Sequence, residues 1–352
     1  MAGPGIRAFH FAEELGREAD VTLVARFRDF EARNGWKAVD WDAAEARDAL
    51  RDADVLVAQP RREILKLRHR RAIYDLFDPV VLELDELLRA APSYRLRLQR
   101  SIEWSRLALA IERGWRLIAA TPQQRDFYLG VHASRGPAME RWGERWLEVP
   151  FGADRAGSLH PPAVTPAHPM VLWGGGTWEW LDAELAVAAV ERLDAVGVDV
   201  RLLFLGSAHP NPEVRDRVGR PVDGDERLLI RNDEWVPYAE RGRWVSAARA
   251  SLMLHKATAE AEAAIRTRLF DAIAFEVPVV ATRGGWTAEL VEREGLGVVV
   301  EPGSLVSAAA GIRRLVEDDA FHAGCVLNLE RLRPRFAWSE VVRPLVEAIA
   351  RR

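Results

Sequence analysis

The sequence has one cysteine among 352 residues and a formal net charge of only -4 at pH 7. Cys325 alone cannot form a disulfide within the chain, which is typical of proteins kept in a reducing cytosol. The small net charge gives no indication of nucleic acid or another polyanion as a partner. No apolar run approaches the length of a membrane-spanning helix. We therefore expect a cytoplasmic globular protein that does not bind nucleic acid.

Tryptophan, in contrast, is abundant, with 13 residues, and 49% of the residues are hydrophobic. Indole rings stack well on bases and sugars, although packing in a core is their more common role. A chain of 352 residues is long enough for two domains that each bury a core of their own.

Short β-branched runs alternate with helical patterns along the whole chain, which predicts parallel sheets with right-handed crossovers. A run rich in glycine, proline and serine, residues 157–169, separates the two halves. We expect strands at residues 21–25, 54–58, 80–84 and 116–120, after which residues 147–152 close the first half. In the second half we expect strands at residues 170–173, 200–205, 227–230, 250–254, 277–281 and 297–300. We expect helices from Ile6, over residues 85–112, and from Ala183, Tyr238, Glu260, Thr287, Leu305 and Trp338.

The sequence begins with MAGPG, which we interpret as a glycine loop that opens the helix starting at Ile6. In doubly wound folds such a loop follows a central strand, and none precedes it in this sequence. We therefore expect a shortened chain, whose first sheet has a gap or whose stability is low.

The stretch from Leu252 to Gly285 predicts a strand, a polar loop, a helix ended by Pro278, and a second strand. Ligands of open α/β sheets bind outside the carboxyl ends of the strands, where this unit has many polar residues. Its acidic and basic residues could bind ligand hydroxyls and phosphates, or could simply pair on a helix surface. These residues are His255, Lys256, Glu260, Glu262, Arg266, Arg268, Asp271, Gly284 and Gly285.

A second glycine stretch, Gly174 to Gly176, follows the apolar run at residues 170–173. Glycines let the backbone approach a ligand closely, and a helix starting near Asp182 would add positive charge to an anion site. A tight turn would explain the same residues. Trp178 and, further along the chain, His209 and Trp235 are candidates for contacts with a sugar, a phosphate or a base.

The stretch 255–282 followed by 284–304 resembles the donor-sugar segment of retaining nucleotide-sugar glycosyltransferases, most closely glycosyltransferase family 4. The segments MAGPGIR, YDLFDP and WGGGTWEWLD are also similar to segments of that family. The resemblance implies the GT-B fold, two Rossmann-like parallel-sheet domains facing a cleft, with the first strand of the N-terminal domain missing. It implies an acceptor-side domain over 1–152, a linker over 153–169, a nucleotide-sugar domain over 170–335, and a helix over 336–352 that crosses back to the first domain.

The resemblance also implies roles for individual residues. Glu260 or Glu262 would orient the donor sugar, Asp271 would hold the ribose, and His255 would complete the catalytic set. Three positions depart from the family pattern, since Asp271 replaces a Glu, Glu262 stands where a related subgroup tends to have Arg, and Glu276 replaces a Gly. The implied donor site is Gly174, Gly175, Gly176, Trp178, His209, Trp235, Lys256, Arg266, Arg268, Gly284 and Gly285, and the implied acceptor side is Gly3, Gly5, Arg7, Asp75 and Asp78.

The implied function is transfer of a sugar, with retention and without a metal or other cofactor. The nucleotide-sugar is a co-substrate, and the acceptor is a sugar, a lipid-linked molecule or a small molecule. Two alternatives stay open, a GT-B nucleotide-sugar epimerase and a non-catalytic protein that binds sugar nucleotides. The basic run at residues 61–71 could face phosphorylated acceptors or an anionic membrane surface, or could be a solvated helix face.

Overall fold

The computed structural model describes residues 3–26, 36–134, 142–154, 167–205, 222–232 and 236–350. The chain forms two compact units. The first comprises Met1–Gly152 together with Trp338–Arg352, and the second comprises Ala153–Ala337.

The first unit contains two separate parallel sheets among its described residues. Strands β1 and β2 pair with Val21 opposite Trp36, whereas β3 to β6 form a four-stranded sheet in sequence order. The described strands that start at Val21 and Leu56 therefore belong to two separate sheets, and the expected missing strand stays a prediction. These strands are β1 Val21–Ala25, β2 Trp36–Asp40, β3 Leu56–Ala58, β4 Ala72–Asp75, β5 Arg116–Ala119 and β6 Trp146–Glu148.

One strand prediction in this unit was wrong, and two strands were not predicted. Residues 80–84 were expected to form a strand but begin the helix Val80–Ala90, and the sheet instead contains Ala72–Asp75, all four buried. A short apolar run after Pro79 suits a buried strand and a buried helical turn equally, so periodicity alone could not decide. The strand Trp36–Asp40 was not predicted.

The expected long helix over residues 85–112 is two helices in the structure. They separate near Pro92, and Ser93 caps the second by accepting a hydrogen bond from the backbone N–H of Leu96 at 3.2 Å. The helices of this part of the chain are α1 Gly3–Leu15, α2 Ala44–Asp52, α3 Arg62–Leu67, α4 Val80–Ala90, α5 Tyr94–Arg113, α6 Pro122–Ala133 and α7 Trp142–Arg145.

The second unit is built around a six-stranded parallel sheet of order β12-β11-β10-β7-β8-β9. All six expected strands are present, with small shifts of their ends, and the central residues of β7, β8, β10 and β11 are almost fully buried. The strands are β7 Met170–Gly174, β8 Arg201–Leu205, β9 Leu229–Asn232, β10 Ala250–Met253, β11 Val279–Thr282 and β12 Gly297–Val300.

The helix expected from Glu260 up to Pro278 is interrupted in the structure. It forms two helices, separated by residues 264–267, and Asp319–Leu332 is a further helix that was not predicted. The helix expected from Tyr238 begins as the 3-10 turn Tyr238–Glu240. The helices are α8 Ala183–Asp194, α9 Arg241–Val245, α10 Ala259–Ala263, α11 Arg268–Phe275, α12 Gly285–Glu294, α13 Leu305–Glu317, α14 Asp319–Leu332 and, after the turn Arg333–Phe336, α15 Trp338–Ala350.

The last helix, α15, belongs to the first unit although it follows the second in sequence. Its Trp338 ring stacks on His10 of α1, with centroids 4.5 Å apart, and contacts Phe151 with centroids 5.0 Å apart.

Among the described residues, no helix is long and apolar enough to span a bilayer.

Candidate functional site

The candidate site lies in the second unit, where strands β7, β10 and β11 end at the same edge of the sheet. Strand β10 pairs with both β7 and β11, so their carboxyl ends are neighbours. The loop after β7 folds against the end of β10, because the N–H of Asp182 donates to Leu254 O at 3.1 Å and that of Lys256 to Trp180 O at 3.0 Å. This edge is therefore assembled from the sequence segments that we expected to meet there.

Trp178 and Trp180, in the loop after β7, stack with ring centroids 5.1 Å apart and planes 9° apart. Trp180 is buried, whereas Trp178 is half-buried and presents part of its ring to solvent. The Lys256 ammonium group donates to the carbonyl of Glu179 at 3.0 Å. The loop thus places an indole face and a lysine next to the end of β10.

His255 is buried at the end of β10 and is neutral at physiological pH. Its backbone N–H donates to Thr282 Oγ1 at 3.1 Å, and its Nδ1 lies 3.2 Å from the carbonyl of Lys256. Burial and the charge of Arg266 lower the pKa of His255 to about 4. Because the carbonyl only accepts, Nδ1 bears the proton and Nε2 has the lone pair, which can accept a hydrogen bond from a hydroxyl group.

Gly284 and Gly285 fit tightly against helix α10, and both have positive φ angles. A Cβ on Gly284 would lie 2.8 Å from Glu262 Oε1, and one on Gly285 would lie 2.5 Å from the carbonyl oxygen of Ala261. The N–H of Gly285 donates to Glu262 Oε2 at 2.9 Å. The carboxylate of the exposed Glu262 therefore binds the start of α12, where the helix dipole favours negative charge.

Glu260 and Arg266 form a buried ion pair. Both carboxylate oxygens accept from the guanidinium group at 2.8 Å, and the side chains are 1% and 10% exposed. The backbone N–H of Arg266 also donates to Thr287 Oγ1 at 3.2 Å. These bonds hold the interruption between α10 and α11, so the Glu260 carboxylate is occupied by Arg266.

Arg268 has a different environment. Its Nη2 donates to the carbonyl of Gly176 at 2.9 Å, and its guanidinium group lies 5.0 Å from the centre of the Trp173 ring. No ion pair within the described residues engages Arg268. Burial and the charge of Arg266 lower the pKa of Arg268 to about 9, so the group remains positively charged at pH 7. Its charge is available to an anionic ligand.

The glycine stretch, Gly174 to Gly176, offers fewer backbone N–H groups to an anion than the sequence suggested. The N–H of Gly175 donates to the carbonyl of Leu205 at 2.8 Å and continues the sheet ladder, so it cannot also bind an anion. Gly175 has a φ of 96°, and a Cβ there would come within 3.6 Å of Arg268. Because 3.6 Å is an ordinary van der Waals distance, the positive φ rather than a lack of space favours glycine at this position.

Asp271 is held by Arg241, whose Nε donates to its Oδ1 at 2.6 Å. The same guanidinium group lies 3.5 Å above the Tyr238 ring, and Tyr238 donates its hydroxyl to Asp154 Oδ2 at 3.2 Å. Burial raises the pKa of Asp271, and the charge of Arg241 opposes this shift. Asp271 is thus part of a polar network on α9 and α11, and a ligand would have to share it with Arg241.

Sequence reasoning missed Arg241, Thr282, Thr287 and Trp173. Thr282 could have been noticed, because it is a polar residue that ends an otherwise apolar strand. Arg241 gave no signal in the sequence, because its partner Asp271 is thirty residues away. Two expected contact residues, His209 and Trp235, lie outside the described residues.

The residues expected on the acceptor side are in the first unit. Gly3 and Gly5 lie within helix α1 rather than in a loop. Arg7 is 1% exposed and donates to both oxygens of Asp75, at 2.7 and 3.2 Å, and to the carbonyls of Val149 and Pro150 at 2.6 Å. Arg7 and Asp75 therefore link α1 to the sheet and have few atoms left for a ligand.

Asp78 lines a cavity of about 400 Å³ beyond the ends of β3 and β4. One oxygen accepts from Gln59 Nε2 at 3.2 Å. Burial, with the nearby Asp75 carboxylate, raises the pKa of Asp78 to about 6. The lining residues are Gln59, Pro60, Arg61, Arg62, Glu63, Asp75, Leu76, Asp78, Pro79, Val80, Val81, Glu103, Arg106, Leu107 and Tyr128.

Comparison with solved structures defines the fold class. WaaG, described as a glycosyltransferase involved in lipopolysaccharide biosynthesis, has a TM-score of 0.67 and 13% identity, covering 100% of this chain and 97% of its own. HepE from Anabaena, solved with UDP-glucose, has a TM-score of 0.69 and 15% identity, covering 99% and 96%. Sucrose-phosphate synthase from Thermosynechococcus elongatus has a TM-score of 0.65 and 15% identity, covering 99% and 93%. The chain has the GT-B fold.

Within that fold, residues 168–318 match the family model described as glycosyl transferases group 1. The matched range lies entirely in the second unit and includes the whole candidate site. No curated protein sequence matches the chain. The family-model match and the fold agree, since a segment similar to group 1 glycosyl transferases lies in the second unit of a chain with the GT-B fold.

Proposed function

We propose that this protein is a retaining, metal-independent glycosyltransferase of family 4 that binds the diphosphate of its nucleotide-sugar donor at Arg268. The observation on which the proposal rests is the environment of Arg268, a desolvated guanidinium group without an ion-pair partner among the described residues. It lies beside Gly175 and Gly176 at the carboxyl edge of a parallel sheet, where ligands of such folds bind.

Transfer of the sugar leaves one additional negative charge on the departing nucleoside diphosphate, because the bond between the sugar carbon and the phosphate oxygen breaks with its electron pair on that oxygen. Arg268 and Lys256 supply positive charge, which is the role that a divalent cation has in other phosphate sites. Trp178 offers a partly exposed ring face for the sugar or the base. The neutral His255 accepts a hydrogen bond from a hydroxyl group of the donor sugar through Nε2.

We place the acceptor in the cavity of the first unit. Its polar groups, above all Asp78, suit a hydroxyl-bearing molecule, and Leu76, Pro79 and Val80 supply an apolar wall of the kind on which a sugar ring packs.

We also propose a cytoplasmic location, with which the single, buried Cys325 is consistent.

The test is calorimetry with UDP, the nucleotide bound by HepE, and with other nucleoside diphosphates, followed by assays of nucleoside diphosphate release from the matching nucleotide-sugars. Arg268→Ala should weaken binding of the accepted nucleotide by about tenfold or more. Arg283→Ala is the control, since Arg283 lies nearby but is paired with Glu301 on the surface, and we expect less than about a twofold change. Equal affinities of the two variants would contradict the placement of the diphosphate.

A non-catalytic sugar-nucleotide-binding protein is the second candidate. It is favoured by the pairing of Glu260 with Arg266 and of Asp271 with Arg241, because both carboxylates are then occupied. This candidate predicts tight binding of a nucleotide-sugar without release of nucleoside diphosphate in the presence of any acceptor.

A further inference from the structure

Helix α5 has an exposed apolar stripe. Tyr94, Leu98 and Ile102 are 82%, 50% and 42% exposed, and they are spaced four residues apart. Successive members of such a series are rotated by only about 40° around the helix axis, so the three side chains share one face. The other end of the helix is different, because Leu107 and Ile111 are buried in the first unit. The stripe is thus confined to the exposed half of α5.

Arginines flank this stripe on both sides. Arg95 and Arg97 are exposed, and no ion pair within the described residues engages either of them. Residues 94–102 contain no acidic side chain. Of the neighbouring arginines, Arg100 is paired with Asp85, which leaves the charges of Arg95 and Arg97 uncompensated. We call Tyr94, Arg95, Arg97, Leu98 and Ile102 the α5 patch.

We propose that the α5 patch is a docking site for an anionic lipid bilayer surface, a property that goes beyond sugar transfer and does not depend on it. Leu98 and Ile102 enter the boundary between headgroups and acyl chains, and Tyr94 lies at the level of the headgroups. Arg95 and Arg97 bind lipid phosphates. A helix with an aromatic and aliphatic face bordered by arginines has the composition of helices that lie in the membrane interface.

The charges favour a bilayer over a second copy of the chain. A stable dimer buries roughly 800 Å² on each partner, and a stripe of three side chains on one helix is much narrower than that. A twofold contact through the stripe would also bring the arginines of both copies together, which is repulsive. An anionic lipid surface instead attracts each arginine, with a gain of about fivefold in the partition constant per residue.

The test is co-sedimentation of the full chain with vesicles of phosphatidylcholine alone and of phosphatidylcholine mixed with phosphatidylserine. We expect binding to the mixed vesicles that falls as salt is raised, because screening weakens the contribution of the arginines. Arg95→Gln/Arg97→Gln should reduce the partition constant on the mixed vesicles by about 10- to 25-fold. Leu98→Ser/Ile102→Ser should reduce it by at least about tenfold.

The matched control is Val306→Ser/Leu327→Ser, since these residues of α13 and α14 are equally apolar and are 65% and 64% exposed. This variant should bind like the unaltered protein, and circular dichroism should show that all variants are folded. The proposal is overturned if the chain does not sediment with mixed vesicles, or if the α5 variants bind as well as the control. A dimer in light scattering that Leu98→Ser/Ile102→Ser dissociates, without vesicle binding, would assign the patch to self-association instead.

Discussion

At the scale of single residues, Glu260 and Arg266 form the most deeply buried ion pair in the candidate site. Removing one member of such a pair leaves an unpaired charge in an environment of low dielectric constant, which typically costs about 3–5 kcal/mol. We therefore expect Glu260→Ala to lower the free energy of unfolding by that amount, measured by urea denaturation. The exposed pair of Arg313 and Glu317 is the control, and Glu317→Ala should cost less than about 1 kcal/mol.

The double variant Glu260→Leu/Arg266→Met removes both charges and should recover most of the stability lost in Glu260→Ala. If Glu260→Ala instead retains full stability and loses only nucleotide-sugar binding, the carboxylate faces the donor rather than Arg266. The two measurements together separate a structural from a ligand-binding role for Glu260.

The cavity of the first unit predicts a pH dependence through Asp78. Its pKa is about 6 in the folded protein and about 3.9 in an unfolded chain. The folded state therefore holds the proton more tightly, and ionisation destabilises it as the pH rises from about 4 to about 6, by at most about 3 kcal/mol. Asp78→Asn cannot ionise, so it should be about 1–3 kcal/mol more stable than the unaltered protein at pH 7.5.

That difference should shrink by more than half when urea denaturation is repeated at pH 4.5. Asp126→Asn, an exposed change on helix α6 of the same unit, controls for the general effect of removing a carboxylate. A stability gain of Asp78→Asn that is the same at both pH values would mean that the gain does not come from the ionisation of Asp78.

At the scale of secondary structure elements, the start of helix α12 is fixed by its contact with α10. Gly285 has a φ of 65° and would place a Cβ 2.5 Å from the carbonyl oxygen of Ala261. Gly303 has nearly the same φ, 66°, but no atom lies within 4 Å of its Cβ position. Gly303→Ala should thus lower the free energy of unfolding by about 1–2 kcal/mol, because of the backbone conformation alone. Gly285→Ala should lower it by about 1–3 kcal/mol more, because α10 must move.

Urea denaturation of the two glycine variants measures this difference, and equal costs would show that the contact with α10 yields without strain. Calorimetry adds a second readout. A displaced α10 moves Glu262 away from the start of α12, so Gly285→Ala should also weaken nucleotide binding, whereas Gly303→Ala should leave it unchanged.

Strands β7, β8, β10 and β11 of the second sheet could be predicted from the sequence, because each is a short, mostly apolar run followed by glycine or polar residues. The interruption at residues 264–267 could not be predicted, since Ile265, Leu269 and Ile273 continue a helical pattern through it. Its causes are tertiary, namely the pairing of Arg266 with Glu260 and its backbone bond to Thr287. For the same reason, the sequence predicted which segments meet at this edge of the sheet, but it did not reveal that Arg268, unlike Arg241 and Arg266, has no ion-pair partner among the described residues.

At the scale of the whole molecule, the second unit is an insertion in the first. The chain leaves the first unit at Gly152 and returns at Trp338. These residues are in contact, because a Cβ on Gly152 would lie 2.3 Å from Trp338 Cδ2. Just beyond them, the N–H of Ala153 donates to the carbonyl of Phe336 at 2.7 Å. The outgoing and returning segments therefore run side by side.

This arrangement predicts that the first unit requires helix α15 but not the second unit. In α15, Trp338 is 5% exposed and Val342 and Leu345 are fully buried. Losing these side chains lowers the free energy of unfolding of the first unit by more than about 5 kcal/mol, which is comparable to the total stability of a typical domain. Deleting residues 338–352 should thus unfold the first unit. A protein in which residues 1–152 are joined to 338–352 by a short glycine-serine linker should fold, because the two joined ends already touch.

Near-UV circular dichroism and thermal denaturation of three proteins test this prediction: the full chain, the chain ending at Ala337, and the joined first unit. We expect a cooperative transition from the joined first unit, and we expect the shortened chain to show only the transition of the second unit. In the joined protein, Trp338→Ala should abolish the cooperative transition, since the ring packs against His10 and Phe151. A shortened chain that retains both transitions would show that α15 covers the first unit without being needed for its fold.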